Sequence, residues 1–192
     1  MKRHVFVVFS GSTGGNHLAN MLSTDENFVR RSTIDHYKNS AEIAHHWQDV
    51  DMSNIRNLDP DNNNYVIASH IADFEHESET LKRFMPRQIL LIEPPPVEGT
   101  LAHLRWIGRT KFNTYLQMEQ KFLYRIDTFK TLFEKEQMVY TIRADDLFSA
   151  DMLAITDTAK KMHLKVDVPT ITEMHHIWYS DKAKNFSPDL SK

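Results

Sequence analysis

The residues best suited to chemistry lie between Phe9 and Leu18, where Ser10, Gly11, Ser12, Thr13, Gly14 and Gly15 lead into Asn16 and His17. A glycine-rich turn at a strand-to-helix junction lets backbone N–H groups wrap an anion, and the helix N-terminus adds its partial positive charge. Phosphate binding is the chemistry that this pattern implies. The stretch is not a Walker A loop, which needs Lys and then Ser or Thr after its last glycine, whereas Asn16 and His17 stand there. Ordinary ATP or GTP hydrolysis is therefore not expected. The plain alternative is a strand-to-helix turn that holds no ligand.

His70 is a second candidate, because it follows a short apolar run and open α/β sheets bind ligands beyond the carboxyl ends of their strands. A lone histidine there can equally be structural. The 11 histidines include two adjacent pairs, His45 with His46 and His175 with His176. Neighbours on a helix point about 100° apart and do not share one ion easily, and HExxH spacing is absent, so no metal site is expected. Trp178, close to His175, reads as the packing side of the last helix rather than an acceptor pocket.

These residues need a scaffold, and the chain of 192 residues is long enough for one domain with a substantial core, taken as residues 1–192. The formal charge is -3, so no overall positive field draws the protein to nucleic acid or an anionic membrane. Any anion site must be local. The absence of Cys excludes disulfides, a thiolate nucleophile and Cys-containing metal clusters, and is compatible with a cytoplasmic location. Lys2 and Arg3 precede an apolar run, but it is far shorter than a secretory leader's core of about 7–15 residues and reads as a strand. No stretch approaches the ~20 apolar residues of a membrane span.

Short apolar runs alternate with segments of helical period, which predicts an α/β layer arrangement. Strands are expected at His4–Phe9, Tyr65–Ser69, Gln88–Ile92 and Met138–Ile142, with a fifth over Val166–Val168. Their nearly continuous apolar character fits a mostly parallel sheet covered on both faces. Helices are expected after the glycine turn through Leu22, over Glu75–Phe84, from Glu98 to about Gln137 with a break near Gly108 and Asn113, over 152–162 with Ser149 as cap, and over Thr172–Ala183. One or two short helices and loops fill 25–64.

The ordered set of strand-end motifs resembles the sulfotransferase family. Gly11-Ser-Thr-Gly-Gly-Asn-His-Leu18 is similar to that family's phosphosulfate loop, F-P-[KR]-S-G-T-[TS]-W-L, at the same junction. His70-Ile71 resembles its T-H-L after the second strand, Gln88–Ile92 resembles the strand leading into R-[DN]-P, and Tyr140-Thr-Ile-Arg-Ala-Asp-Asp-Leu147 resembles its I-R-Y-E-D-L segment. The chain departs at Ser12, where the family has a basic residue, at Glu93 in place of Arg, and at Leu101 near its Ser.

The resemblance implies a P-loop NTPase-like, three-layer α/β fold with four to five strands flanked by helices. It also implies transfer of a sulfuryl group from 3′-phosphoadenosine 5′-phosphosulfate (PAPS) to a hydroxyl or amine on a small-molecule or glycan acceptor. By the same carry-over His70 is the general base, a task its near-neutral pKa suits. Gly11, Ser12, Thr13, Gly14, Gly15, Asn16 and His17 hold the donor; outside that carry-over, Arg105, Arg109 and Lys111 on the next helix could replace the charge lost at Glu93, although a solvated basic helix face is the plainer reading of those three. The residues alone leave two other readings open: a non-enzymatic binding domain whose nucleotide site has decayed, and a nucleotide or small-molecule kinase. No nucleic-acid or membrane partner is expected.

Overall fold

A computed structural model describes residues 3–9, 14–39, 58–70, 83–84, 86–93 and 138–181, with backbone alone at Ser69, His70, Met138 and Asp181. Its elements are β1 (Val5–Phe9), α1 (Gly15–Leu22), α2 (Ile34–Asn39), β2 (Val66–His70), β3 (Gln88–Glu93), β4 (Met138–Arg143), α3 (Ala144–Leu147), α4 (Leu153–Lys161) and α5 (Val168–Asp181). The four strands form one all-parallel sheet in the order β2-β1-β3-β4. The expected helices over Glu75–Phe84 and from Glu98 to Gln137 lie outside the described residues, apart from a helical turn at 83–84.

Strand alternation sorts the core into two layers. Val5, Val7, Phe9, Val66, Ala68, Leu90, Ile92 and Ile142 join one cluster with α1, α3, α4 and α5. Phe6, Val8, Ile67, Ile89 and Leu91 join a second cluster around Phe84 on the opposite face. Successive side chains of a strand point to opposite faces, so a run such as Val5-Phe-Val-Val-Phe9 is stable only where both faces are covered. All five of its residues are buried.

The close approach of α1 to β1 has a local cause. A Cβ on Gly15 would overlap the Phe9 ring, so residue 15 has to be glycine for the helix to start directly above the end of the strand. Gly14, the N-cap, has φ +81°, which disfavours any residue with a side chain, and its α-carbon faces Leu147 and Trp178. From there the first intrahelical bond runs from the Leu18 N–H to the Gly14 carbonyl.

The fifth strand expected over Val166–Val168 is not formed. Residues 164–167 are extended coil and Val168 already opens α5. Asp167 is the reason: its carbonyl accepts the Ile171 N–H at 2.9 Å, its carboxylate accepts both the N–H and the hydroxyl of Thr170, and Pro169 fits a helix's first turn because its missing N–H is not needed there. Thr170 holds the Asp167 carboxyl below the usual carboxylate range. The coil before α5 is held to the end of α1, with the Lys165 N–H on Asp25 Oδ2 and the Asp167 N–H on Thr24 Oγ1.

Ser149 does not cap α4. Its hydroxyl accepts the Asp151 N–H, the Asp151 carboxylate accepts the Leu153 N–H at 2.8 Å, and Met152, the N-cap, makes no side-chain capping bond. The segment after β4 turns at once into α3, whose first turn carries Asp145 and Asp146 where negative charge suits the helix dipole.

Gly15→Ala tests the contact between β1 and α1. Alanine ordinarily stabilises a helix relative to glycine, but overlap with Phe9 should reverse the sign and cost about 1–3 kcal/mol in a denaturant-unfolding measurement. A neutral or stabilising result would show that the helix does not start against that ring.

Candidate functional site

The sheet order places β1 between β2 and β3, so the chain leaves β1 toward one side and later crosses to the other. In open α/β sheets that switch point opens a crevice beyond the carboxyl ends of the strands. The glycine turn leaves β1 at this edge. Phe9 is in register with His70, so the residue at the end of β2 sits beside the end of β1. On the other side Glu93, at the end of β3, is in register with Arg143 of β4, and Arg143 forms an exposed ion pair of 2.8 Å with Asp145.

The structure thus brings His70, Gly14, Gly15 and the first turn of α1 to one edge of the sheet. Gly11, Ser12, Thr13, Leu101, Arg105, Arg109 and Lys111 lie outside the described residues, as do His45 and His46. Among the described residues no group of three or more His, Asp or Glu side chains is placed to hold a metal ion. His175 is buried while its neighbour His176 is exposed, as expected of adjacent residues on a helix.

Asn16 and His17 are both buried at the start of α1. The His17 ring, only 1% exposed, stacks on Trp178 with centroids 4.3 Å apart and planes 9° from parallel. His17 Nε2 lies 3.1 Å from His175 Nδ1, and His17 Nδ1 lies 2.9 Å from the Tyr37 hydroxyl. His175 Nε2 lies 2.8 Å from the Ser149 carbonyl, and Asn20 Nδ2 donates to the Tyr37 oxygen at 3.3 Å.

Hydrogen-bond direction along this chain is forced from one end. The Ser149 carbonyl can only accept, so His175 carries its proton on Nε2 and, when neutral, accepts at Nδ1. His17 must then donate from Nε2 and accept at Nδ1 from the Tyr37 hydroxyl. Burial pushes the Tyr37 phenol well above its ordinary pKa, although the Asn20 hydrogen bond and the Arg31 charge pull it partly back, so it remains a donor. Burial is also the largest influence on His175 and lowers its pKa; His176 adds to this, and the bond to the Ser149 carbonyl opposes it.

The chain ties α1, α2, α5 and the loop between α3 and α4 into one unit. Lys38 and Glu173 add a 2.7 Å ion pair between α2 and α5, which holds the Lys38 pKa up but is exposed and worth little. Tyr37, Asn20 and His175 were not among the site residues expected from sequence. A signal was present: His17 and Asn20 are polar residues one turn apart on a helix whose neighbours Leu18, Met21 and Leu22 are apolar, and such residues need partners from elsewhere once buried.

Compared with protein-family models, curated proteins and solved structures, the chain matches none.

Two imidazolium ions cannot face each other across the 3.1 Å between His17 and His175. The folded pair therefore binds at most one proton, whereas the unfolded chain binds two once pH falls below the ordinary histidine value of 6.5. The depressed His175 pKa thus contributes stability above that value and loses it as pH falls from 6.5 toward the folded value. The loss should approach about 1.4 kcal/mol per pH unit for this one proton. Denaturant unfolding at a series of pH values checks this, and His175→Gln should have a shallower slope. Equal slopes in the two proteins would remove His175 from the pH dependence.

Proposed function

We propose that the protein is a sulfotransferase-like enzyme that moves a sulfuryl group from PAPS to a hydroxyl or amine acceptor at the carboxyl edge of its parallel sheet. The observation that supports this reading is the register of Phe9 with His70, which pairs the end of β1, the strand that leads into the glycine sequence, with the end of β2, which carries the expected base. The turn from Gly11 and the first turn of α1 hold the donor's phosphate through backbone N–H groups, and the helix end stabilises charge on the departing phosphate oxygen. As the acceptor oxygen attacks sulfur, the bond between sulfur and the phosphate oxygen breaks and His70 takes the acceptor's proton.

In this reading His17 contributes its backbone and its place in the core, because its ring is committed to Tyr37, His175 and Trp178. Arg105, Arg109 and Lys111 supply charge that the turn lacks. The acceptor is a small molecule or glycan, and a cytoplasmic setting suits a chain without Cys. No helix among the described residues is long and apolar enough to cross a membrane.

A second reading, a binding domain that keeps the fold without catalysis, is favoured by one specific observation. Gly14 and Gly15 are each required by local geometry, through a positive φ and the Phe9 ring, whether or not an anion binds. Calorimetric titration with 3′,5′-phosphoadenosine separates the two, since micromolar binding would reject a decayed site.

The decisive variant is His70→Ala, assayed with labelled PAPS and a panel of acceptors. Transfer should fall about 10²–10⁴-fold, as for loss of a general base, while donor affinity and melting temperature change little. A folded variant with undiminished turnover removes His70 from the mechanism. Absence of both donor binding and transfer in the unaltered protein rejects the enzyme.

A further inference from the structure

The polar chain beneath α1 has two hydrogen-bonding arrangements that differ by one proton. In the neutral arrangement Asn20 Nδ2 donates to Tyr37, Tyr37 to His17 Nδ1, His17 Nε2 to His175 Nδ1, and His175 Nε2 to the Ser149 carbonyl. One atom is then left over: Asn20 Oδ1, on a side chain with no exposure, has no partner.

Adding a proton at His17 Nδ1 uses that atom. His17 keeps its Nε2–H on His175 and gains an Nδ1–H that donates to the Tyr37 oxygen. The Tyr37 hydroxyl turns its hydrogen toward Asn20, whose amide turns by 180° so that Oδ1 accepts it and Nδ2 moves to the unpartnered place that Oδ1 held. The His175 bond to Ser149 is the same in both arrangements. The exchange needs one hydroxyl rotation and one amide turn, with no change of backbone.

The surroundings decide which ring holds the proton. Arg31, from the segment after α1, bears on the Tyr37 end, and His176 bears on His175 within α5. Tyr179 lies beside His175 with ring centroids 6.1 Å apart, and the Lys38–Glu173 pair bridges α2 and α5. Trp178 lies flat against His17, and the face of an indole attracts a cation more than any other side-chain ring does. His17 is the better seat for the charge, because His175 stands next to His176 and has no such close parallel stack.

We propose that the His17–His175 pair is an acid switch: it takes up one proton on His17, reverses the Tyr37–Asn20 hydrogen bond, and thereby places a positive charge in the first turn of α1, where it strengthens anion binding at the glycine turn. The proton uptake stands on the chain geometry alone. Its effect on ligand rests on the reading of the turn as a phosphate site.

The test is a pH titration of the full chain from 8 to 5, followed by imidazole and side-chain amide nitrogen NMR and paired with the affinity for inorganic sulfate, whose charge is constant over that range. His17 Nδ1 should change from a bare acceptor to an N–H nitrogen within the window open to histidine, about pH 5–8. The Asn20 amide signals should move with the same midpoint. Sulfate affinity should rise about 2–5-fold on acidification, and by less in His17→Gln. Should that variant not fold, Trp178→Phe keeps a ring on His17 with a weaker π-face, and should lower the midpoint.

A folded chain in which His17 Nδ1 stays bare down to pH 5, or titrates without moving Asn20, overturns the switch. So does an unchanged midpoint in Trp178→Phe. If sulfate binds while His17 does not titrate, the switch fails and the phosphate reading survives. If His17 titrates but neither sulfate nor 3′,5′-phosphoadenosine binds at pH 5 or 8, the phosphate reading fails and the ligand half of the switch fails with it.

Discussion

The contact between Gly15 and the Phe9 ring sets the rest of this structure. β1 is buried on both faces, so the helix that follows must lie directly on the sheet, and only a residue without a side chain lets it begin there. Once α1 is drawn in that far, all eight of its residues are buried, including Asn16, His17 and Asn20. Burying polar groups costs free energy unless they are hydrogen-bonded, typically about 1–3 kcal/mol for each one left unpaired. For His17 and Asn20, Tyr37 and His175, with the Ser149 carbonyl behind His175, offset part of that cost, and they come from α2, α5 and the α3–α4 loop. The close helix start and the polar core are thus one feature seen at two depths.

That arrangement separates two roles that the sequence places on adjacent residues. The edge of the sheet, with the turn after β1 and His70 at the end of β2, is where a ligand would meet the protein. The side chains of His17 and Asn20 join α1 to α2 and α5 instead. His17 belongs to the second group by its side chain and to the first only by its position in the opening turn. A buried polar cluster linking several elements rewards one packing and penalises its alternatives, because a small shift of any element leaves a donor or acceptor without a mate. The stack of His17 on Trp178 adds an apolar constraint to the same cluster.

Strands and their order of appearance were legible in the sequence because β-branched and aromatic runs bounded by turn residues have few alternatives. Val5–Phe9, Gln88–Glu93 and Met138–Arg143 fall within a residue or two of the expected limits. Val166 and Val168 misled: two β-branched residues resemble a strand, but Asp167 followed by Pro169 and Thr170 is a helix start, and the capping bonds prevail over β-propensity. Ser149 misled in a related way, since a serine ahead of a helix invites a cap, whereas the N-cap is Met152 and the Leu153 N–H is taken by Asp151. At the candidate site the glycines were legible as a special turn. The reason for two of them, a positive φ and a ring in the way, was not, because it depends on Phe9, Leu147 and Trp178 meeting in space. The His17–His175 contact joins residues 158 positions apart, and no local pattern encodes such a pairing.

The proposed anion site comprises the turn after β1 and the opening of α1, beyond the carboxyl end of β1. Backbone amide NMR during titration with 3′,5′-phosphoadenosine tests it most directly. Saturable shifts are expected, concentrated in the amides of residues 11–17 and at His70, with the amides of α4 unmoved. Shifts spread evenly over the surface, or confined to elements away from that edge, would contradict it.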